Sequence, residues 1–89
     1  MRKYTVRFSK GAVKALKKLD KRTGMLLYTW IKTNLDGCED PRRIGKALSD
    51  NLKGAWRYRV GDYRIIAEII DDKVVILVVG VGHRKEIYK

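Results

Sequence analysis

The stretch AWRYRVGDYRIIAEII, residues 55–70, decides the fold, because it joins two runs of alternating side chains through a two-residue turn. The runs are rich in β-branched and aromatic residues, and Gly61-Asp62 between them is typical of a tight β-hairpin connection. A third apolar run follows at residues 74–81, after the polar residues 71–73. We therefore expect strands at residues 55–60, 63–70 and 74–81, arranged as a three-stranded antiparallel meander.

Helical periodicity replaces strand alternation in the first half of the chain. After a short alternating run at residues 3–8, which predicts a strand, Ser9 is a suitable N-cap for a first helix. Two apolar stripes predict two amphipathic helices with a break near residues 20–23, and Gly37 is expected to end the second helix. The first stripe is Ala12, Val13, Leu16 and Leu19, and the second is Leu27, Tyr28, Ile31 and Leu35.

The order of these elements predicts an α+β fold: an N-terminal strand, a helical hairpin, then the three-stranded antiparallel meander, with the helices on one sheet face. With 89 residues and no linker or repeat, the chain is expected to form a single domain over residues 1–89. The second strand of the meander is flanked on both sides, so the N-terminal strand must join an outer edge. The sequence does not indicate which edge.

The charge balance indicates the kind of partner. Lys and Arg outnumber Asp and Glu by 21 to 10, which gives a net charge of +11 and favours a polyanion, either nucleic acid or a membrane surface. The apolar run at residues 74–79 is too short to span a bilayer, and no signal-peptide pattern opens the chain. One cysteine, Cys38, excludes an intramolecular disulfide and a Cys-based zinc site, and one histidine, His83, excludes clustered His ligands. We expect a cytoplasmic protein with no cofactor or metal.

The expected hairpin register places three arginines on one sheet face. If Gly61-Asp62 is the two-residue loop, Arg59 faces Arg64 across the strands and Arg57 faces Ile66. Because like charges opposite each other destabilise a sheet, this pattern favours a functional patch, and the guanidinium fork matches phosphate oxygens. The structural alternative is a solvated sheet face with extended arginine side chains.

The segment GHRKEIYK, residues 82–89, adds further candidates just after the last predicted strand. His83 is expected close to the arginine face, and histidine side chains exchange protons near neutral pH. Tyr88 could stack on a base or donate a proton, or it could pack against the sheet edge. Proton transfer and phosphate binding are thus both within the reach of this segment.

Two blocks resemble a known family. LKGAWRYRVGDYRII at residues 52–66 and VGHRKEIYK at residues 81–89 are similar to the RelE branch of the RelE/ParE toxins, and the predicted element order extends the similarity to essentially the whole chain. The resemblance implies a toxin of a type II toxin–antitoxin system that cuts mRNA in the ribosomal A site without a metal. In that reaction a ribose 2′-hydroxyl attacks the adjacent phosphate, giving a cyclic phosphate and a 5′-hydroxyl.

The resemblance also implies the catalytic residues. RelE-like toxins use basic residues on the second and third strands, an arginine after the last strand and a tyrosine near the end. Carried over residue by residue, these positions are Arg57, Arg59, Arg64, Arg84 and Tyr88, with His83 adjacent. Of these, Arg64 and Arg84 are expected to stabilise the phosphorane, while Arg59 holds the scissile phosphate or supports the leaving group.

The chain departs from the family pattern at the general base. RelE itself has lysines where Arg57 and Arg59 stand, and an arginine does not deprotonate in proteins. The base is therefore expected to be His83, Tyr88 or Glu68, of which we favour His83. A weak base predicts slow intrinsic chemistry and dependence on the ribosome to shape the substrate.

The resemblance and the charge together predict partners. We expect a RelB-like antitoxin, acidic in its wrapping segment, besides the ribosome and mRNA. Lysines expected to contact RNA or the ribosome are Lys14, Lys17, Lys18, Lys53 and Lys85. Two other functions remain open: a ParE-like inhibitor of DNA gyrase, and a basic module that binds RNA or ribosomes without cutting.

Overall fold

The computed structural model describes residues 2–48 and 55–83. The strands are β1 (Thr5–Phe8), β2 (Lys46–Ala47), β3 (Ala55–Val60), β4 (Tyr63–Ile70) and β5 (Val75–His83). The helices are α1 (Lys10–Lys18) and α2 (Lys21–Asn34), and a short 3₁₀ turn (Asp71–Lys73) joins β4 to β5. Within this part of the chain, no helix is long and apolar enough to cross a membrane.

The five strands form one sheet in the order β1-β5-β4-β3-β2. The antiparallel meander β3-β4-β5 confirms the prediction from the two turn segments. Strand β1 joins the β5 edge in parallel, with Val6 opposite Ile76, which answers the question that the sequence left open. The connection from β1 to the sheet's far side contains both helices, so the predicted α+β architecture is confirmed.

Two features of the sheet differ from the expectation. No strand is predicted between the second helix and residue 55, but Lys46 and Ala47 form the short strand β2 against Arg57 and Trp56. Strand β5 also extends past residue 81 to His83, and a bulge near Val79 shifts its pairing with β4. This shift changes which residues of β5 share a face with the arginines.

Side-chain caps set the helix starts. The Ser9 Oγ accepts the backbone N–H of Ala12 at 3.0 Å, which confirms the predicted cap of α1. Asp20 caps α2 in the same way, accepting the N–H of Thr23 at 3.1 Å, so the break between the helices is shorter than predicted. Both caps satisfy N–H groups that have no partner within their helix.

The core lies between the helices and one sheet face. From α2, Leu27 and Ile31 are fully buried, as is Leu35 directly after the helix, and their spacing predicts this. Tyr28, predicted to belong to the same stripe, is instead 47% exposed and stacks on Phe8 with ring centroids 5.7 Å apart. The sheet contributes Val6, Tyr58, Ile65, Ala67, Ile76, Val78 and Val81 to the same cluster. The opposite sheet face carries no helix among the described residues and is the face that bears the arginines.

Candidate active site

The arginines lie where the hairpin register places them. Arg59 pairs with Arg64 and Arg57 pairs with Ile66 across β3 and β4, as the two-residue turn predicts. Since directly paired residues share a face and alternate residues return to it, the three guanidinium groups extend from the same side of the sheet. Lys46 on β2 pairs with Arg57 and adds a fourth cation to the arginine face.

Arg64 is far less exposed than a side chain on an open face would be. Its relative exposure is 9%, and its Nη1 donates a long hydrogen bond of 3.4 Å to the backbone carbonyl of Tyr63. Among residues 2–48 and 55–83, no carboxylate forms an ion pair with Arg64 or Arg59. A largely buried guanidinium without a counter-ion is costly, so this position is suited to binding an anion.

A cavity of about 450 Å³ opens beside the arginine face, at the outer edge of β3. Strand β2 pairs with β3 only at Trp56 and Arg57, so the end of β3 has no strand partner on that side within the described ranges. The cavity is lined by Trp30, Asn34, Ile44, Gly45, Lys46, Arg57, Tyr58, Arg59 and Arg64. A phosphate at this edge would meet several cations and the polar backbone of a strand end.

Two aromatic side chains hold the loop that precedes β2. The Tyr58 hydroxyl donates to the Pro41 carbonyl at 2.7 Å, and the Trp56 Nε1 donates to the Ile44 carbonyl at 2.7 Å. Burial raises the pKa of the Tyr58 hydroxyl, so that group remains a donor. These bonds tie the loop to β3 and so place Lys46 against Arg57.

Gly45 is required by the same contact. Its φ is +81°, and an added Cβ would lie 2.3 Å from the Arg57 carbonyl oxygen. Only glycine fits that backbone conformation and that approach. Lys46 itself was missed at the sequence level, because a two-residue strand has no alternation to detect. Its one signal was a basic residue directly after this glycine.

A second charged cluster lies at the other end of the sheet. Arg42 donates to both carboxylate oxygens of Asp71 at 2.9 Å, and the Tyr4 hydroxyl donates to Oδ1 at 2.7 Å. The hydrogen bonds from Arg42 and Tyr4 lower the pKa of Asp71 to about 2. Because Asp71 follows directly after β4, the cluster links the loop, β1 and the β4–β5 connection, away from the arginine face.

His83 lies on a different face from Arg64. It pairs with Tyr63 at the end of β4 and β5, and the two rings meet edge to face with centroids 5.6 Å apart. Gly82, not His83, is the pairing partner of Arg64. This differs from the expected position close to the arginine face, and the bulge near Val79 is the reason, because one extra residue reverses the alternation after it.

Glu68 shares the arginine face, as alternation predicts. It is exposed and pairs with Leu77 and with Ala55. Glu68 lies four positions after Arg64 on β4, so their Cα atoms are about 13 Å apart. Glu68 is therefore further along the strand from a group held by Arg64 than Ile66 is.

The three predicted lysines of α1 are not brought to the arginine face. Lys14, Lys17 and Lys18 are exposed on α1, which covers the opposite side of the sheet. Lys53, Arg84, Lys85 and Tyr88 lie outside the described residues.

Within the described ranges, no group of three or more His, Cys, Asp or Glu side chains is placed to hold a metal ion. Cys38 is half-buried, and that burial raises the pKa of its thiol.

Comparison with known proteins identifies the family. The model of the ParE toxin family of type II toxin–antitoxin systems matches residues 6–88. Toxin RelG of Mycobacterium tuberculosis is 34% identical over 86 residues, covering 97% of each chain. The chain belongs to the RelE/ParE family of type II toxins. The resemblance drawn from the two sequence blocks is thereby confirmed.

Solved structures show the same fold for this toxin. It is similar to the toxin–antitoxin complex RelBE2 from Mycobacterium tuberculosis, with a TM-score of 0.84, 32% identity and coverage of 97% of each chain. It is also similar to the isolated RelE toxin of E. coli, with a TM-score of 0.71, 28% identity and coverage of 96% of this chain and 90% of that one. The toxin's α+β architecture is therefore that of RelE.

Proposed function

We propose that this toxin is a ribosome-dependent endoribonuclease that cuts mRNA in the A site. The observation that carries the proposal is Arg64, a guanidinium that is nine-tenths buried and has no carboxylate partner among the described residues. It lies in register with Arg59 and beside Arg57, on a face that carries no helix among residues 2–48 and 55–83. A guanidinium that is buried for structural reasons normally forms an ion pair with a carboxylate, whereas one that binds an anion has its counter-ion only when the ligand is bound.

The proposed chemistry is an in-line phosphoryl transfer within the RNA. The 2′-hydroxyl loses its proton to a base and its oxygen attacks the adjacent phosphorus, while the bond to the 5′-oxygen of the next nucleotide breaks. The products are a 2′,3′-cyclic phosphate and a 5′-hydroxyl, which takes up a proton. Such a transfer depends on positioning and on stabilising the charge that develops on the phosphorane, and fixed guanidinium groups supply both.

Each basic residue has a proposed role. Arg64 and Arg84 stabilise the phosphorane, and Arg59 holds the scissile phosphate or supports the leaving oxygen. Arg57 orients the neighbouring phosphate together with Lys46, which pairs with it at the cavity edge. The bidentate fork of arginine suits these tasks better than a single ammonium point charge.

His83 remains the proposed general base, with Tyr88 as the second candidate. The Cα separation of about 13 Å along β4 favours His83 and Tyr88 over Glu68 for a phosphate at Arg64. His83 stands at the end of β5, next to Gly82, which faces Arg64. At the end of β5, His83 can contact an RNA that crosses the ends of β4 and β5, but not one that lies only over the middle of the sheet. Proton transfer to His83 therefore requires the ribosome to place the 2′-hydroxyl near the ends of these strands.

We further propose that a RelB-like antitoxin neutralises the toxin. Similar structures include the RelBE2 complex and the RelB–RelE complex of Methanococcus jannaschii, the latter with a TM-score of 0.57 and 27% identity. An apolar groove of about 500 Å³ between the helices, lined in part by Val13, Met25 and Tyr28, has Lys17 and Lys21 among its lining residues. An amphipathic, acidic antitoxin helix fits such a groove, with its carboxylates toward the lysines.

The decisive experiment is mRNA cleavage in a reconstituted translation reaction, read by primer extension. We expect codon-phased cuts with ribosomes and none with RNA alone. Arg64→Ala is expected to reduce cleavage by about 10²–10³-fold, as loss of one charge-stabilising donor does. Arg64→Lys keeps the charge and guards against misfolding of the alanine variant, and Arg22→Ala, an exposed arginine of α2, is the matched control.

Two results would overturn the proposal. Intact mRNA with blocked growth would point to a ParE-like action, which a DNA gyrase supercoiling assay would then test. Ribosome binding that inhibits translation without any cut, and that weakens only gradually in the arginine variants, would point to a binding module with a salt-dependent affinity.

A further inference from the structure

Strand β5 carries two glycines on the arginine face that neither the backbone nor the described packing requires. Gly80 pairs with Ile66 and Gly82 pairs with Arg64. Neither is among the glycines with positive φ, and a Cβ added at either would meet nothing within 4 Å among the described residues. Glycine in a strand interior weakens the strand, so its presence at both positions calls for another explanation.

The bulge near Val79 aligns these glycines with the site. Val78 pairs with Ala67, but Gly80 pairs with Ile66, so β5 holds one extra residue at this point. If the pairing continued without the bulge, Val79 would face Ile66 and Val81 would face Arg64. The bulge thus replaces two branched side chains by two hydrogen atoms beside the arginine patch, and bulges are frequent next to active sites.

We infer that Gly80 and Gly82 form a bare floor that lets the sugar–phosphate backbone of a single RNA strand lie directly on β5. This inference rests on the proposed function and adds the path of the substrate to it. Neighbouring strands are about 4.8 Å apart, so a backbone lying on Gly82 places a phosphate within reach of Arg64 on β4. Side chains at residues 80 and 82 would lift the strand away from the guanidinium groups.

The inference predicts opposite effects on stability and activity. Gly80→Ala and Gly82→Ala are expected to raise the thermal midpoint by about 2–8 °C, because alanine restricts the unfolded chain and fits the open space. The same variants are expected to reduce ribosome-dependent cleavage by about 10²-fold, as a displacement near 1 Å does. Gly82→Val should reduce cleavage further, because the larger side chain raises the RNA more.

The matched control is Gly11→Ala on α1, where an added Cβ would make only ordinary contacts at 3.8 Å. It should raise the thermal midpoint without a loss of cleavage. If the wild type cuts mRNA and the residue 80 and 82 variants cut equally well, the inference is overturned while the proposed function stands. If these variants lose cleavage only together with thermal stability, the glycines serve the fold and the inference is wrong. A wild type that cuts nothing overturns both.

Discussion

Arg59 and Arg64 face each other directly across β3 and β4, with no carboxylate paired to either among residues 2–48 and 55–83. Opposed like charges in a sheet are destabilising by about 0.2–1 kcal/mol. The fold therefore accepts a local loss of stability at the position where the proposed chemistry needs two adjacent cations. Residues that are needed for function often lower the stability of the folded chain in this way.

Replacing Arg59 should separate these two contributions. Arg59→Gln removes one charge of the pair and should raise the free energy of unfolding by about 0.2–1 kcal/mol in low salt. The gain should shrink at high salt, because the repulsion is already screened there. Urea unfolding at two ionic strengths measures the effect, and the cleavage assay should show a loss of about 10-fold or more in the same variant. A variant that is less stable at low salt would contradict the repulsion.

The buried hydrogen bond of the Tyr58 hydroxyl should contribute measurably to the free energy of unfolding. Tyr58→Phe leaves the Pro41 carbonyl without its buried donor and should lower the free energy of unfolding by about 1–3 kcal/mol. Tyr28→Phe is the matched control, because that side chain is 47% exposed, and it should change stability little. Equal effects of the two substitutions in chemical denaturation would show that the loop does not depend on this bond.

Gly45 and Gly37 allow the effect of a steric clash at Cβ to be separated from the effect of a positive φ. Both have a positive φ, +81° and +83°, but only at Gly45 would an added Cβ meet atoms within 4 Å. Gly37→Ala should lower the free energy of unfolding by roughly 1–2 kcal/mol from backbone conformation alone. Gly45→Ala should lower it further, because the Arg57 carbonyl blocks the Cβ.

A comparison of the two thermal midpoints tests that difference. A Gly45→Ala variant that is as stable as Gly37→Ala would mean that the loop can move away from β3. Since this loop holds Lys46 against Arg57, the same variant should also weaken mRNA cleavage.

Asp71 should make the free energy of unfolding depend on pH in the acidic range. Its pKa in the folded chain is about 2, below the ordinary value of 3.8, so the unfolded chain binds the proton more readily. The stabilisation is therefore present above about pH 4 and is lost as the pH falls through about 2. Asp71→Asn should flatten the stability profile over this window, measured by urea unfolding at several pH values. A variant that keeps the wild-type slope would show that the hydrogen bonds from Arg42 and Tyr4 do not cause the pH dependence.

Much of the sheet was predictable because one turn determines several pairings. The two-residue connection at Gly61-Asp62 sets which residues of β3 and β4 face each other, and the prediction that Arg59 opposes Arg64 follows from it. The cap of the first helix was likewise visible as Ser9, whereas Asp20 was predicted only as part of the break between the helices. These features depend on local sequence, where periodicity and cap chemistry are reliable guides.

The remaining features depend on contacts between distant segments. Strand β2 is held by Trp56 and Tyr58 through the preceding loop, and its two residues have no pattern of their own. The low solvent exposure of the Arg64 side chain depends on residues that surround it only in the folded chain. The position of His83 depends on a bulge that no residue type marks, so simple alternation could not place that side chain.

The parallel pairing of β1 with β5 has a consequence for the making of this protein. Val6 and Ile76 are partners, so the first strand has no neighbour until residues 75–78 have been synthesised. The β3–β4 hairpin is local and can form early, whereas closing the sheet requires contact between segments about 70 residues apart. Closure of the sheet therefore follows the synthesis of residues 75–78, and the complete fold forms later than its β3–β4 hairpin.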